Sequence, residues 1–343
     1  VAESTAADST GRRTVRTGAE SLIGVVLDGD FEVQELVGQG SHGEVYAARQ
    51  RSVGQRRVAI KVLSTLYSSL PEGDVRRAAQ AMQREAELLG SLRSACFVTV
   101  YRTGQTPDKR PYLAMQWAEG STIAQLLRRE QRLTRRVVAD IVQQWAAGLG
   151  ELHSRGYVHR DVAPGNCVVS LSGSGDTAGA VAIQTYDLGT ASAIHTTADR
   201  FRVGWERDRP AGTPAYMAPE QAQGGVVDGR ADQFALAALA FELLSGVRAV
   251  PSASQRAADV LEYLRGDQPL PQQPLDRLRP DLGADLVQAI HRGLSRDPQQ
   301  RYADIRVFAE IVAEQLRSGG RHEAPSGGAA WAWLGRLRGG RRS

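Results

Sequence analysis

The sequence predicts an α+β fold in two lobes: a small, β-rich N-terminal lobe with one key helix, then a larger, mostly α-helical C-terminal lobe. Three observations carry this expectation. At 343 residues the chain has the length for two domains, or for two lobes sharing a cleft. Up to residue 116 short strand-like stretches recur, the first of them alternating apolar and polar residues, Phe31-Glu32-Val33-Gln34-Glu35-Leu36-Val37. From residue 121 onward apolar residues recur at helical spacing, most continuously at Val137, Val138, Ile141, Val142, Trp145, Leu149 and Leu152.

Composition narrows the class. A hydrophobic content of 42% and a charged content of 23% are those of an ordinary soluble globular protein. The net charge is +4, and its excess sits in the ends, at Arg12, Arg13 and Arg16 and at Arg336, Arg338, Arg341 and Arg342. That distribution reads as solvated ends, and no nucleic-acid partner is expected. Cys96 and Cys167 are too few for a secreted disulfide framework; both lie among apolar residues and read as buried free thiols. With no run of 18 apolar residues and no signal peptide, a cytoplasmic protein without a transmembrane segment is expected. A start at Val1 rather than Met suits a piece of a longer chain.

Residues 1–29 are rich in Ala, Ser, Thr, Gly and Arg without periodicity and read as a disordered leader. The strand from Phe31 runs into Gly38-Gln39-Gly40-Ser41-His42-Gly43-Glu44-Val45-Tyr46. A dinucleotide-binding turn with this glycine spacing must open a helix. Residues 44–49 have no capping box or helical stripe and continue as a second strand. A strand–glycine–strand hairpin suits a flap laid over phosphates, where missing side chains let backbone N–H groups approach. Residues 57–63 are a further strand containing Val58-Ala59-Ile60-Lys61. Lys61 and Lys109 are the only lysines in a chain otherwise served by arginine, so a compact ammonium is wanted at this spot. In the helix that follows, Glu85 shares the apolar face of Met82 and Leu89 and is the candidate partner of Lys61; Glu87 points roughly 200° away. Residues 97–103 and 111–116 read as two more strands, and 116–120 as the hinge between an N-lobe of 30–116 and a C-lobe of 121–317.

The long helix ending at Gly156 delivers His159-Arg160-Asp161-Val162-Ala163-Pro164-Gly165-Asn166. This spacing matches a catalytic loop, with an acid that takes a proton and, five residues on, an amide that holds a metal. A strand over 181–186 then ends in Asp187-Leu188-Gly189, and Gly212-Thr213-Pro214-Ala215-Tyr216-Met217-Ala218-Pro219-Glu220 follows. With these motifs in order, residues 30–317 resemble the protein kinase superfamily, in particular the bacterial eukaryotic-like serine/threonine kinases.

The resemblance implies transfer of the γ-phosphoryl group of ATP to Ser or Thr hydroxyls of a protein substrate, with Mg2+, or Mn2+ in its place. Asp161 is then the base, Lys61 and Glu85 position the nucleotide, and Asn166 and Asp187 hold the metal. Val37, Gly38, Gln39, Gly40, Ser41, His42, Gly43, Val45, Ala59, Met115, Gln116 and Ala118 would surround ATP. Arg160 would clamp a phosphate on the activation segment. Thr196, Thr197 and Thr213 are candidate regulatory hydroxyls, the first two for autophosphorylation. Asp232 would anchor the catalytic loop from below, and Arg301 would pair with Glu220.

The sequence departs from the family at Gln116, where Glu is usual, and at Leu188, where Phe is usual. The larger departure is Ala163: serine/threonine kinases place a lysine there, against the γ-phosphate, and the arginine that tyrosine kinases place two residues later is Gly165 here. Losing one such donor costs on the order of 10²- to 10³-fold in rate. A slow kinase, or a pseudokinase that binds nucleotide and signals by shape, is the alternative that Ala163 leaves open. Residues 318–343 read as a flexible basic tail in which Trp331 and Trp333 beside arginines suit contact with an anionic membrane surface. Dimerisation is compatible with the family.

Overall fold

The computed structural model describes residues 22–40, 43–64, 72–172, 180–188, 191–193, 213–251 and 256–319. The strands expected from Phe31 onward form β2 (Phe31–Gly40), β3 (Gly43–Gln50) and β4 (Arg56–Leu63), whereas β1 (Val26–Leu27) corrects the reading of 1–29 as a disordered leader: residues 22–29 are ordered because β1 pairs with β2 and Leu22 and Leu27 are buried against the sheet. Helix α1 (Glu72–Ser91), β5 (Val100–Gln105) and β6 (Pro111–Gln116) follow. These strands make one antiparallel sheet in the order β1-β2-β3-β4-β6-β5. Register decides what each face carries, because side chains alternate across a strand. Val45 pairs with Lys61, Lys61 with Leu113 and Ala59 with Met115, so these residues share the face that meets α1 and the second lobe. The opposite face buries Tyr46, Val58, Ile60, Val62 and Tyr112 under Leu22, Leu27 and Phe31.

The C-lobe begins with β7 (Ser121–Thr122) and α2 (Ile123–Glu130), whose capping box joins the Thr122 and Gln125 side chains to each other's backbone N–H. Helix α3 (Arg135–Ser154) buries the whole predicted stripe, Trp145 included. At ~1.5–3 kcal/mol per buried large side chain, this stripe supplies much of the lobe's cohesion. Strands β8 (Tyr157–Val158), β9 (Cys167–Ser172), β10 (Ala180–Thr185) and β11 (Ser192–Ala193) form two small sheets, β10-β9-β7 and β11-β8. Helices α4 (Pro219–Ala222), α5 (Gly229–Ser245), α6 (Ala257–Arg265), α7 (Leu275–Leu278), α8 (Ala284–Gly293) and α9 (Ile305–Gly319) complete the lobe. Helix α5 is apolar all round and buried accordingly, with α3, α8 and α9 packed about it.

One strand differs from expectation. The strand predicted over 97–103 is β5 at 100–105, because the backbone of 96–98 is claimed by β10. Thr185 N–H donates to the Cys96 carbonyl at 2.6 Å, and Val98 N–H donates to the Thr185 carbonyl at 3.0 Å. The apolar run Cys96-Phe97-Val98 is thus a tie to the second lobe. Cys96 and Cys167 are both buried free thiols, as expected.

Candidate active site

Strand β3 returns from the glycine turn pressed against β4. A Cβ on Gly43, at φ +154°, would lie 2.2 Å from the Val62 carbonyl oxygen, so glycine is required there by the protein itself. At Gly38 a Cβ would meet nothing within 4 Å, and the missing side chain leaves room for a ligand instead. Ser41 and His42, between them, lie outside the described residues. Val37 sits at a bulge in β2 and is exposed, while Val45 is half-buried and Ala59 and Met115 are buried on the shared face of the sheet. In the hinge, the Gln116 N–H is already engaged: it donates to the Thr99 carbonyl at 2.8 Å, and Gln116 Oε1 accepts from Thr99 N–H. That leaves Ala118, beside Trp117, as the later amide in the connection. The Arg57 guanidinium stacks 3.8 Å over the Trp117 ring.

Lys61 reaches across from β4. Its Nζ donates to both oxygens of Glu85, at 2.8 and 2.9 Å, and to Asp187 Oδ1 at 3.0 Å. Glu85 lies on the buried face of α1 beside Met82 and Leu89, whereas Glu87 is exposed, as their helical spacing dictates. Burial opposes the Lys61 ammonium, yet the charges of Asp187 and Glu85 outweigh it and hold the lysine above its ordinary pKa. Burial, aided by Asp187, pushes the Glu85 carboxyl up even with Lys61 beside it. One ammonium thus faces two carboxylates. Glu85 Oε1 also accepts from Leu188 N–H at 3.2 Å, which fixes the turn after Asp187 to α1. Leu188 is buried where phenylalanine was the expected type.

The catalytic loop hangs on Asp232, buried in the first turns of α5. Its Oδ2 accepts from His159 N–H and its Oδ1 from Arg160 N–H, each at 2.8 Å, and His153 Nε2 lies 2.7 Å from Oδ2. Burial alone would raise this carboxyl, but the His153 hydrogen bond, the neighbouring charges and the backbone donors leave it below the usual aspartate range. Arg160 takes φ +68°, a sparsely populated region for arginine, and these bonds hold it there. His159 is fully buried, and its Nδ1 accepts from Asp161 N–H at 3.3 Å: it supports the loop, as expected.

Asp161 is held on both oxygens. Asn166 Nδ2 donates to Oδ2 at 2.8 Å and to the Asp161 carbonyl at 2.9 Å. Thr213 donates to Oδ1 through its N–H at 2.7 Å and its hydroxyl at 3.1 Å. Thr213, read from sequence as a regulatory hydroxyl, thus rests on the candidate base. Ala163 is buried against the core. Below, Arg301 makes two bonds to Glu220, at 2.7 and 2.9 Å, and ties the segment after Thr213 to the end of the chain's helical lobe.

A family model described as "Protein kinase domain" matches residues 31–316. The chain belongs to the protein kinase family. It is 31% identical over 313 residues to serine/threonine-protein kinase Pkn1 of Myxococcus xanthus, covering 90% of this chain and 42% of that protein. It is 31% identical over 309 residues to PknA of Mycobacterium tuberculosis, covering 89% and 65%, and 30% identical over 304 residues to PknB of the same organism, covering 87% and 45%. The chain therefore spans less than two thirds of the length of these curated relatives.

In this kinase domain the sequence-predicted residues Lys61, Glu85 and Asp187 meet in one bonded group, and Asp161 and Asn166 in another. Thr196 and Thr197 lie outside the described residues, as do 1–21 and 320–343, which cover most of the expected leader and tail. Sequence reasoning missed Tyr186, whose hydroxyl donates to the Gly165 carbonyl. Its position directly before Asp187 was the available signal. Among the described residues no three His, Cys, Asp or Glu side chains group to hold a metal alone, and no helix is long and apolar enough to cross a membrane.

Proposed function

We propose that residues 30–317 are the catalytic domain of a serine/threonine protein kinase that transfers the γ-phosphoryl group of ATP to protein hydroxyls. The observation that carries the reading is Lys61 bonded at once to Glu85 and Asp187, across from an Asp161 held on both oxygens. The family implies ATP and a divalent metal, and the donors present fit one. Asn166 spends its amide nitrogen on Asp161 and keeps its oxygen for a cation, and Asp187 adds a carboxylate. A carboxylate and an amide oxygen supplemented by phosphates are the set that Mg2+ accepts, and Mn2+ shares it. Such an ion neutralises the phosphates as charge shifts to the leaving group.

Lys61 orients the α- and β-phosphates beneath the glycine flap. Asp161 accepts the substrate hydroxyl proton as that oxygen attacks the γ-phosphorus, and the bond to the β–γ bridging oxygen breaks to release ADP. Asn166 and Thr213 aim the carboxylate that takes the proton. Preference for serine and threonine rests on Gly212-Thr213-Pro214-Ala215-Tyr216 and on the printed names of the relatives. Thr196 and Thr197 are the proposed autophosphorylation sites, with Arg160 as the counter-charge; phosphosite mapping that finds neither modified in active protein removes them. Residues 1–21 and 318–343 are proposed as flanking segments, the second touching anionic membrane. Two buried thiols suit a reducing cytoplasm.

Ala163 favours the second reading, a nucleotide-binding module without transfer. Labelled ATP and Mg2+ with a generic basic protein decide between them. Transfer by the wild type that drops about 10²- to 10⁴-fold in Asp161→Asn, with ATP binding retained, is the expected result. ATP binding with no transfer from the wild type, before or after phosphorylation by an active kinase, would replace the first reading with the second.

A further inference from the structure

Strand β10 is fixed as far as Thr185, which pairs with Cys167 across the β9–β10 ladder and bonds both Cys96 and Val98. That pair is the last of the ladder. The next positions in the antiparallel register are Tyr186 opposite Asn166 and Asp187 opposite Gly165. Both proposed metal ligands therefore lie just beyond the point where backbone pairing holds the two chains together.

Past that point a side chain takes over. The Tyr186 hydroxyl donates to the carbonyl of Gly165, the residue directly before Asn166. Gly165 is exposed, and a Cβ there would meet nothing within 4 Å, so no side chain of its own packs this turn in place. Asn166 also bonds Asp161 and the Ala163 carbonyl, and Asp187 bonds Lys61.

We propose that Tyr186 is a positioning residue for the divalent metal: its hydroxyl couples the backbone bearing Asp187 to the backbone bearing Asn166 and sets the span between the two oxygen ligands. The proposal rests on the kinase reading above. It makes Tyr186 neither a ligand nor a base, and assigns it the tightness with which the pair grips a cation alongside the phosphates.

The test is Tyr186→Phe in the full chain, which keeps the ring and removes the bond. Thermal shifts are read with ATP alone and with ATP over a Mg2+ titration, and phosphoryl transfer is measured over the same titration. Half-saturating Mg2+ is expected to rise on the order of 10-fold, the usual cost of losing a group that orients a metal ligand. The ATP shift without metal stays at the wild-type value, and transfer at saturating Mg2+ recovers most of the wild-type rate. Because each variant serves as its own metal-free reference, a lowered melting temperature does not mask the result. A Mg2+ titration superposable on the wild type's overturns the proposal. An equal loss of ATP binding with and without metal also overturns it, making Tyr186 a wall of the nucleotide site. A wild type that gains no stability from Mg2+ in the presence of ATP sinks the metal reading of Asn166 and Asp187 itself, and this proposal with it.

Discussion

Replacing Lys61 by methionine keeps the length of the side chain and removes its charge. In the folded protein the Lys61 and Glu85 side chains are only 8% and 3% exposed, and Asp187 shares the same ammonium. Methionine leaves Glu85 and Asp187 as neighbouring carboxylates with no cation between them. Stranding one partner of a buried pair costs about 3–5 kcal/mol. At roughly 2–4 °C per kcal/mol for a domain of this size class, the melting temperature should fall by about 10 °C near neutral pH. The sign of the pH dependence follows from Glu85, which burial already pushes up in the wild type. Without Lys61 its folded-state pKa rises further above the unfolded value. An acid with a raised folded pKa stabilises the fold below its unfolded pKa, about 4.3, and loses that contribution as pH rises through the folded value. The gap between Lys61→Met and wild type should therefore narrow at about pH 5 and widen at about pH 8, each unit of additional shift being worth about 1.4 kcal/mol. Melting curves of both proteins without nucleotide, at the two pH values, measure it. A gap that is the same at both would refute the reasoning, because the stranded carboxylates would then not be setting the cost.

Asp232→Asn puts an amide N–H where one of two backbone N–H groups needs an acceptor; the expected loss is about 2–4 kcal/mol, read as a lower denaturation midpoint. The same carboxyl lies below its ordinary pKa in the fold, so its stabilisation is complete above about pH 4 and disappears as pH falls through the folded value, which an acid titration of wild type against Asp232→Asn would show. Ala163→Lys restores a cation near the transferred phosphoryl group, and initial rates should rise by up to about 10²-fold with ATP affinity little changed. Leu149→Ala, in the buried stripe of α3, should cost about 2–5 kcal/mol by urea denaturation while leaving the Mg2+ requirement of transfer unaltered.

Much of this chain was legible because its signals are local. The alternation at 31–37 and the stripe from Val137 to Leu152 require only the period of a strand or a helix, and both periods are properties of the backbone. The same holds for Glu85 against Glu87: 100° per residue puts one on the face of Met82 and Leu89 and the other in solvent. Order along the chain did the rest, since a lone lysine in a strand, an aspartate five residues before an asparagine and a second aspartate after the next strand are jointly specific.

What the tertiary structure decided concerns groups that act across distance. Residues 96–98 carry strand-like sequence, yet the Cys96 carbonyl and the Val98 N–H bond Thr185, some 90 positions away in the chain, and no local period encodes that choice. Thr213 reads as one hydroxyl among several in the segment until the fold sets its N–H and hydroxyl on Asp161. Arg160 has an ordinary place in a motif, and its unfavourable φ is maintained from afar, by Asp232 of α5 on its N–H and Gln221 on its carbonyl. Tyr186 carries no motif at all; its hydroxyl finds Gly165 because the β9–β10 ladder brings the two exits side by side. Periodicity specifies which face of an element is buried. Which polar group meets which across the cleft depends on the relative placement of elements, and that is set by the packing of the whole core.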